Sequence, residues 1–447
     1  MGEIRELQRK SERNTSYLFV PFCCGRPEDF PDFCRRLEKS GGWQRINEKI
    51  QYMLKYVADK IEGKRSGNSQ CVHFELTDEG RERSGLGDED AWWHTLQHVY
   101  KGEETEFGFR IQSVQLFCFN TTVAILAFRL HFDETDPLRI SAAQYYLKKV
   151  SRETILCEKT GEETTFLDLS RNIMSDLGTP EEFSFFFYAN PSTERANLLT
   201  YLEVEEKEDY RYELFYLRRC YGDGYLYCQD EEADAREIYH ATSDVVWGLS
   251  SEAAVCLACP DKGRRVFLTT TFYKNFNAQY LFMYILLLHQ KYVLYMFLTM
   301  IDADMHNDLR KLEEYRRRLY EFETDFVFSC VTEVPQYQNL YDRMSKAFSL
   351  KNMYEDVREP LTSLAEVRRN DMEKRQNEKD KKVNRALILL SILSFFSALI
   401  DGFDFVDAFG GLFFPETIIM PIQMVIVILI FAVLIYVFYV LSHNKED

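Results

Sequence analysis

The chain has 447 residues, 46% of them hydrophobic and 15% aromatic, and a formal net charge of −17. That length accommodates two or three domains with cores of their own. The acidic balance excludes a basic nucleic-acid-binding body, because phosphate contacts need clustered Lys and Arg, so no direct nucleic-acid partner is expected.

Residues 1–17 are charged and polar without an apolar core, so no secretory signal is expected and the large body should stay in the cytosol. There the eleven cysteines are expected as thiols. Residues 16–23 read as a strand, and 33–61 carry helical periodicity with one break at Gly41-Gly42. Residues 110–119 and 122–132, rich in Val, Ile and Phe around Asn120-Thr121, predict a hairpin. A second hairpin is expected of 210–220 and 225–228, joined through Gly222-Asp223-Gly224. Residues 140–150, 166–177 and 194–202 are amphipathic enough for helices. These blocks predict an α+β cytosolic domain over 1–274.

Chemistry within that body is sparse. His94 and His98 are four apart in an expected helix, but no Glu follows His94 as in the zinc-protease pattern. Trp92, Trp93 and Arg110 are the groups suited to stack on and pair with a small gating ligand; filling core is the alternative for the tryptophans. Cys256 and Cys259 stand as a single Cys-x-x-Cys without the second pair of a zinc site. No phosphate-cradling Gly-rich loop, nucleophile elbow or dinucleotide fingerprint occurs, so no catalytic residue is assigned and the chain is not expected to be an enzyme.

Residues 275–385 are expected to form a helical bundle and a stalk. Residues 280–298 are apolar apart from His289, Gln290 and Lys291, and a central Lys without an acidic partner is costly in hydrocarbon. A helix buried in the bundle is therefore expected in place of a membrane span. Asp302, Asp304 and Asp308, beside His306, are candidate oxygen ligands for a regulatory divalent ion, with an acidic helix start as the alternative. Residues 309–326 read as an amphipathic helix. Neither Pro nor Gly occurs between Pro360 and Gly402, which permits one helix of about 60 Å at about 1.5 Å per residue.

The chain is expected to close with a transmembrane hairpin over 386–441: a first span at 386–408, an outer loop at 409–417 and a second span at 418–441, followed by a short cytosolic tail at 442–447. The second apolar run exceeds the roughly 20 residues a span needs, whereas the first reaches that length only by passing Asp401 and Asp404. Asn384, Ser391, Ser394, Ser397, Asp401 and Asp404 fall within an arc of roughly 100° on a helix of about 3.5 residues per turn. Leu387, Ile388, Leu389, Ile392, Phe395, Phe396 and Leu399 occupy the other side. Intramembrane acids mark pathways, so the six polar residues are expected to line a pore between several copies, with Asp401 and Asp404 holding the metal ion. Lys and Arg crowd 366–385 and are missing from 401–417, which places both termini in the cytoplasm.

An acidic α/β body, a stalk helix entering the first of two C-terminal spans and a short outer loop together resemble the CorA family of divalent-cation channels. Phe409-Gly410-Gly411-Leu412-Phe413-Phe414-Pro415-Glu416 is similar to that family's outer signature, an aromatic followed by Gly-Met-Asn, then Phe and a nearby Pro-Glu. Gly410 matches the glycine, Gly411 stands in place of Met, and Leu412 in place of the selectivity Asn. The resemblance implies a homopentamer in the inner or plasma membrane, the first span lining the pore and the second facing lipid. Asp407, Gly410, Gly411, Leu412 and Glu416 would form the outer mouth. Magnesium or another divalent cation would be the permeant or regulatory ion, with gating by the cytosolic body through the stalk. The family includes effectors of type III CRISPR defence opened by nucleotide messengers, so a ligand-gated effector pore is the alternative, and a membrane-tethered interaction protein a second one.

Overall fold

The computed structural model describes residues 13–47, 51–63, 69–175, 177, 183–184, 195–301, 308–413, 421, 424–425, 427–432 and 435–436. Two compact units divide the chain, Met1–Leu364 and Ala365–Asp447.

The first unit is α+β and is built on a mixed sheet. In chain order its strands are β1 (Asn14–Cys24), β2 (Trp43–Ile46), β3 (Cys71–Leu76), β4 (Trp92–Thr95), β5 (His98–Tyr100), β6 (Glu103–Thr105), β7 (Gly108–Phe119) and β8 (Val123–Phe132). There follow β9 (Thr154–Cys157), β10 (Glu163–Thr165), β11 (Phe183–Ser184), β12 (Asn197–Glu203), β13 (Ile238–Thr242), β14 (Val245–Leu249) and β15 (Ala253–Ala258). The spatial order is β10-β9-β4-β7-β8-β1-β12-β15-β14-β13, with β3 and then β2 beside β7 and with β11 on β1; β5 and β6 pair separately. Among the described pairs only β12 and β15 run parallel, from Leu198↔Ala253 to Glu203↔Ala258.

Both faces of the sheet are covered, which its central strands announce by being buried without alternation. Leu18, Val20 and Phe22 of β1 join one apolar cluster with Phe33 and Leu37 of α1 (Phe30–Lys39), Ile140 and Leu147 of α4 (Pro137–Leu147) and Phe166, Leu169 and Ile173 of α5 (Phe166–Ser175). Between them in sequence lie α2 (Lys55–Ile61) and α3 (Asp78–Arg83). The alternate residues Tyr17 and Phe19 point the other way, onto Phe276 and Tyr284 of α8 (Arg265–Met300), with ring centroids 6.4 and 5.3 Å apart. α6 (Arg211–Leu217) and α7 (Glu231–Glu237) precede it.

α8 contains two π-helical turns, Leu268–Phe272 and Phe276–Tyr280, before its regular part. Of its most apolar stretch 83% is buried, because it is the helical layer over the sheet: Tyr284 donates to Leu198 O at 2.9 Å and His289 stacks on Phe119 at 3.8 Å. α9 (Leu309–Phe326) and α10 (Pro335–Ala347) pack on α8, where Gln290 Nε2 donates to Phe326 O at 2.7 Å and to Tyr341 Oη at 3.1 Å. Ser349, at φ 55°, then turns the chain into α11 (Leu350–Phe413), whose Val357 and Leu361 are buried.

Several sequence expectations change here. Residues 43–46 are strand, since Gly41 at φ 71° ends the preceding helix and Trp43 pairs with Leu76. Residues 197–203 are a central strand, not a helix; covered on both faces, β12 lacks the alternation that marks strands. The 210–228 hairpin is replaced by α6, which lies so close to β14 that a Cβ on Gly248 would stand 2.8 Å from the Leu214 side chain. His94 and His98 sit on strands β4 and β5, where β-branched and aromatic neighbours favour extended backbone over helix.

Candidate functional site on the long helix

α11 is 64 residues long and includes Pro360, so its last part, from Ala365, belongs to the second unit. Among the described residues two helices are long and apolar enough to cross a membrane: α8, which the sheet and α9 and α10 cover, and the stretch Leu350–Phe405, of whose most apolar part none is buried. Leu389, Leu393, Phe396 and Ile400 are each more than half exposed. In water such a helix would forfeit roughly 1.5–3 kcal/mol for each large side chain left uncovered, so the stretch calls for an apolar cover.

Asn384, Ser391, Ser394, Ser397, Asp401 and Asp404 all lie on α11 and all are exposed. One helix thus carries all six, and neither carboxylate has an internal partner among the described contacts. Ser391 Oγ donates to Leu387 O at 2.8 Å, a back-bond that satisfies its proton within the helix and leaves its lone pairs outward. Asp407, Gly410, Gly411 and Leu412 also fall within α11, which continues to Phe413. The expected outer loop from residue 409 is thus helical over its first five positions, and 414–417 lie outside the described residues. Glu416 lies outside the described residues. Of the second apolar run, 421, 424–425, 427–432 and 435–436 are helical, with Met424, Val425, Ile428, Leu429 and Ile435 exposed.

The other expected sites fare differently. Asp302, Asp304 and His306 lie outside the described residues. Asp308 is the N-cap of α9, its carboxylate accepting from Lys311 N at 3.2 Å, which accounts for its position without an ion. Among the described residues no three His, Cys, Asp or Glu side chains gather as a metal site. Trp93 is 1% exposed and fills core; Trp92 faces outward opposite Arg110, whose guanidinium lies 5.1 Å from the ring centroid and 3.3 Å from Asp90. Only Trp92 and Arg110 remain together on a surface. His94 approaches Glu158, and His98 stacks on Tyr146, so the two imidazoles do not converge. Cys256 and Cys259 are buried, and desolvation pushes the Cys256 thiol well above its ordinary value.

Sequence reasoning missed a cavity of about 340 Å³ at the carboxyl ends of β12 and β15. Arg13, Asp136, Glu203, Lys207, Tyr210 and Arg265 are among its lining residues. Burial raises the Glu203 carboxyl, and Lys207 is held by Glu213. The signal for it is the parallel β12–β15 pair, since crevices at the carboxyl ends of adjacent parallel strands are where open sheets receive ligands.

Comparison of this chain with protein-family models, with curated proteins and with solved structures found no match.

Proposed function

We propose that this protein is a CorA-like cation channel: a homo-oligomer, pentameric by that resemblance, whose C-terminal residues span the membrane as a two-helix hairpin with both termini in the cytoplasm. The observation that carries the reading is the uncovered apolar stretch of α11 with a polar stripe ending in Asp401 and Asp404. Lipid suits the apolar side and water the stripe, and both are satisfied when several copies turn their stripes to a common axis. Rings of carboxylates there would concentrate cations, magnesium or another divalent ion among them. The test is flux: the purified full chain in proteoliposomes should pass cations and discriminate against chloride, and vesicles that hold the protein but stay tight would overturn the channel and leave a membrane tether.

A second reading, a pore opened by a small messenger, is favoured by the 340 Å³ cavity beside Arg13, Tyr210 and Arg265. A panel of nucleotides screened by thermal shift separates it from ion gating: a stabilising nucleotide that also starts flux supports it, and flux started by divalent-ion removal alone opposes it.

A further inference from the structure

The cavity at the carboxyl ends of β12 and β15 is walled by four stretches of the first unit: Arg13 ahead of β1, 135–137 at the start of α4, 203–213 between β12 and α6, and 260–265 between β15 and α8. At about 340 Å³ it falls at the lower end of small-molecule sites, which run to about 300–1,000 Å³. Its walls are tied to one another. Glu203 N donates to Arg13 O at 2.7 Å and Val204 N to Ala258 O at 2.8 Å. The Tyr210 hydroxyl donates to Glu205 O at 2.9 Å and accepts from Lys207 N at 3.1 Å, which holds its ring beside the apolar lining of Pro137, Val204 and Pro260.

The charges of the cavity are mixed. Five carboxylates and three bases line it. Lys207 is paired with Glu213 and Arg265 with Asp261 at 3.6 Å, while Asp136 caps α4 by accepting from Leu138 N at 3.0 Å. Glu203, Glu205 and Arg13 have no ion-pair partner among the described residues. Glu203 is half-buried and accepts from Tyr201 Oη at 3.3 Å; burial raises its carboxyl, and Arg13 and Arg265 are near enough to oppose the rise without bonding to it. A carboxylate so placed lacks a cation of its own.

Ligand classes can be sorted by sign. A ligand rich in phosphate would bring its charge against five carboxylates. A polyamine would satisfy Glu203 but face two guanidiniums, and among the described residues no three His, Cys, Asp or Glu gather to hold a bare metal ion. A zwitterion answers both signs, because guanidinium forks match a carboxylate while a carboxylate takes an ammonium.

We propose that this cavity binds a small zwitterion of the amino-acid class, its ammonium on the Glu203 carboxylate, its carboxylate on Arg13 and Arg265, and its side chain against Tyr210 and Pro260. This rests on the ligand-gated reading above for what binding accomplishes, and it names the chemistry of that ligand. Arg265 is the first residue of α8, so the anionic end of the ligand meets the helix that covers the sheet.

The test titrates the full chain in detergent with each common L-amino acid by calorimetry, then with the α-keto acid and the decarboxylated amine of the one that binds. Both analogues should bind about tenfold more weakly, since each leaves one charged group of the site unpaired. Arg13→Gln, at an exposed position, should weaken the amino acid about tenfold. Glu203→Gln should close the gap between amino acid and keto acid, which a merely structural role would leave open. No binding by any amino acid, binding untouched by Arg13→Gln, equal binding of the decarboxylated amine, or binding of AMP that Arg13→Gln weakens overturns the proposal. The two readings fail separately. Amino-acid binding that meets these criteria in vesicles whose flux it does not change keeps the site and sinks ligand gating, whereas flux started by a nucleotide with no amino acid bound keeps ligand gating and sinks the site.

Discussion

The Lys291 ammonium donates to Asn197 Oδ1 at 3.1 Å, joining the apolar helix α8 to the first residue of the central strand β12. It also lies 5.1 Å from the Phe348 ring centroid, one residue before the left-handed turn at Ser349 that starts α11. The facing groups are Tyr292, whose hydroxyl shares Asn197 Oδ1, the Ser251 carbonyl, and Glu252, which is already held by Lys148 and Arg195. Burial without a carboxylate of its own pushes the amine down to about 8.

Replacing it should therefore stabilise the fold. Below about pH 8 the folded chain carries a charge in poor solvent, whereas the unfolded chain keeps its proton up to about 10.5, so the wild-type protein gains stability as pH rises between those values. Lys291→Met should be more stable by about 2 kcal/mol at pH 7, with the advantage shrinking toward pH 10.5, as measured by urea unfolding across that range.

Two buried imidazoles set the acid limit, with the same sign at lower pH. His289 accepts or donates to Thr121 Oγ1 at 2.7 Å and is held well below the ordinary range by burial; His73, stacked on Phe117 at 4.1 Å, is lowered to about 4 for the same reason. The unfolded chain binds protons from about pH 6.5 downward that the folded chain refuses, so stability is lost as pH falls below that value. His289→Gln should move the acid-unfolding midpoint, followed by tryptophan fluorescence, down by about half a pH unit.

Thiol reactivity should follow exposure. Cys228 and Cys330 are exposed; Cys23 is half-buried and raised to about 12, and Cys24, Cys118, Cys220 and Cys256 are buried and raised by desolvation. Intact mass after a short maleimide treatment of the native protein should show two additions, with the remainder appearing only in denaturant.

The acids of the stripe should govern selectivity. Asp401→Asn and Asp404→Asn should each shift the reversal potential in a salt gradient toward the nonselective value, and the pair should lower cation-over-anion selectivity about tenfold. An unchanged reversal potential in the double variant would place the ion path elsewhere.

How much of this was legible in the residues follows from where each signal lives. The β7–β8 hairpin and α9 could be read almost to the residue, because Val, Ile and Phe content, a turn at Asn120-Thr121 and helical periodicity after Asp308 are local. α8 was legible as core for a subtler reason: His289, Gln290 and Lys291 interrupt an apolar run at positions that only protein partners, Thr121, Tyr341 and Asn197, can satisfy. β12 and α6 were misread because their burial comes from partners distant in sequence, α8 on one and Gly248 on the other. The cavity by Glu203 depends on two strands fifty residues apart becoming parallel neighbours, which no local pattern announces.

The two π turns of α8 carry a consequence for movement. Each winds roughly one more residue into a turn than an α-helix holds, so each is slack stored in the backbone. Were one to tighten to α geometry, everything after Tyr280 would advance by about 1.5 Å and rotate by about 100°, lifting His289 off Phe119 and Lys291 away from Asn197 in one stroke. The helix that covers the sheet is in this sense a wound screw with two spare threads, and the layer it lies on supplies the catch that keeps it from turning.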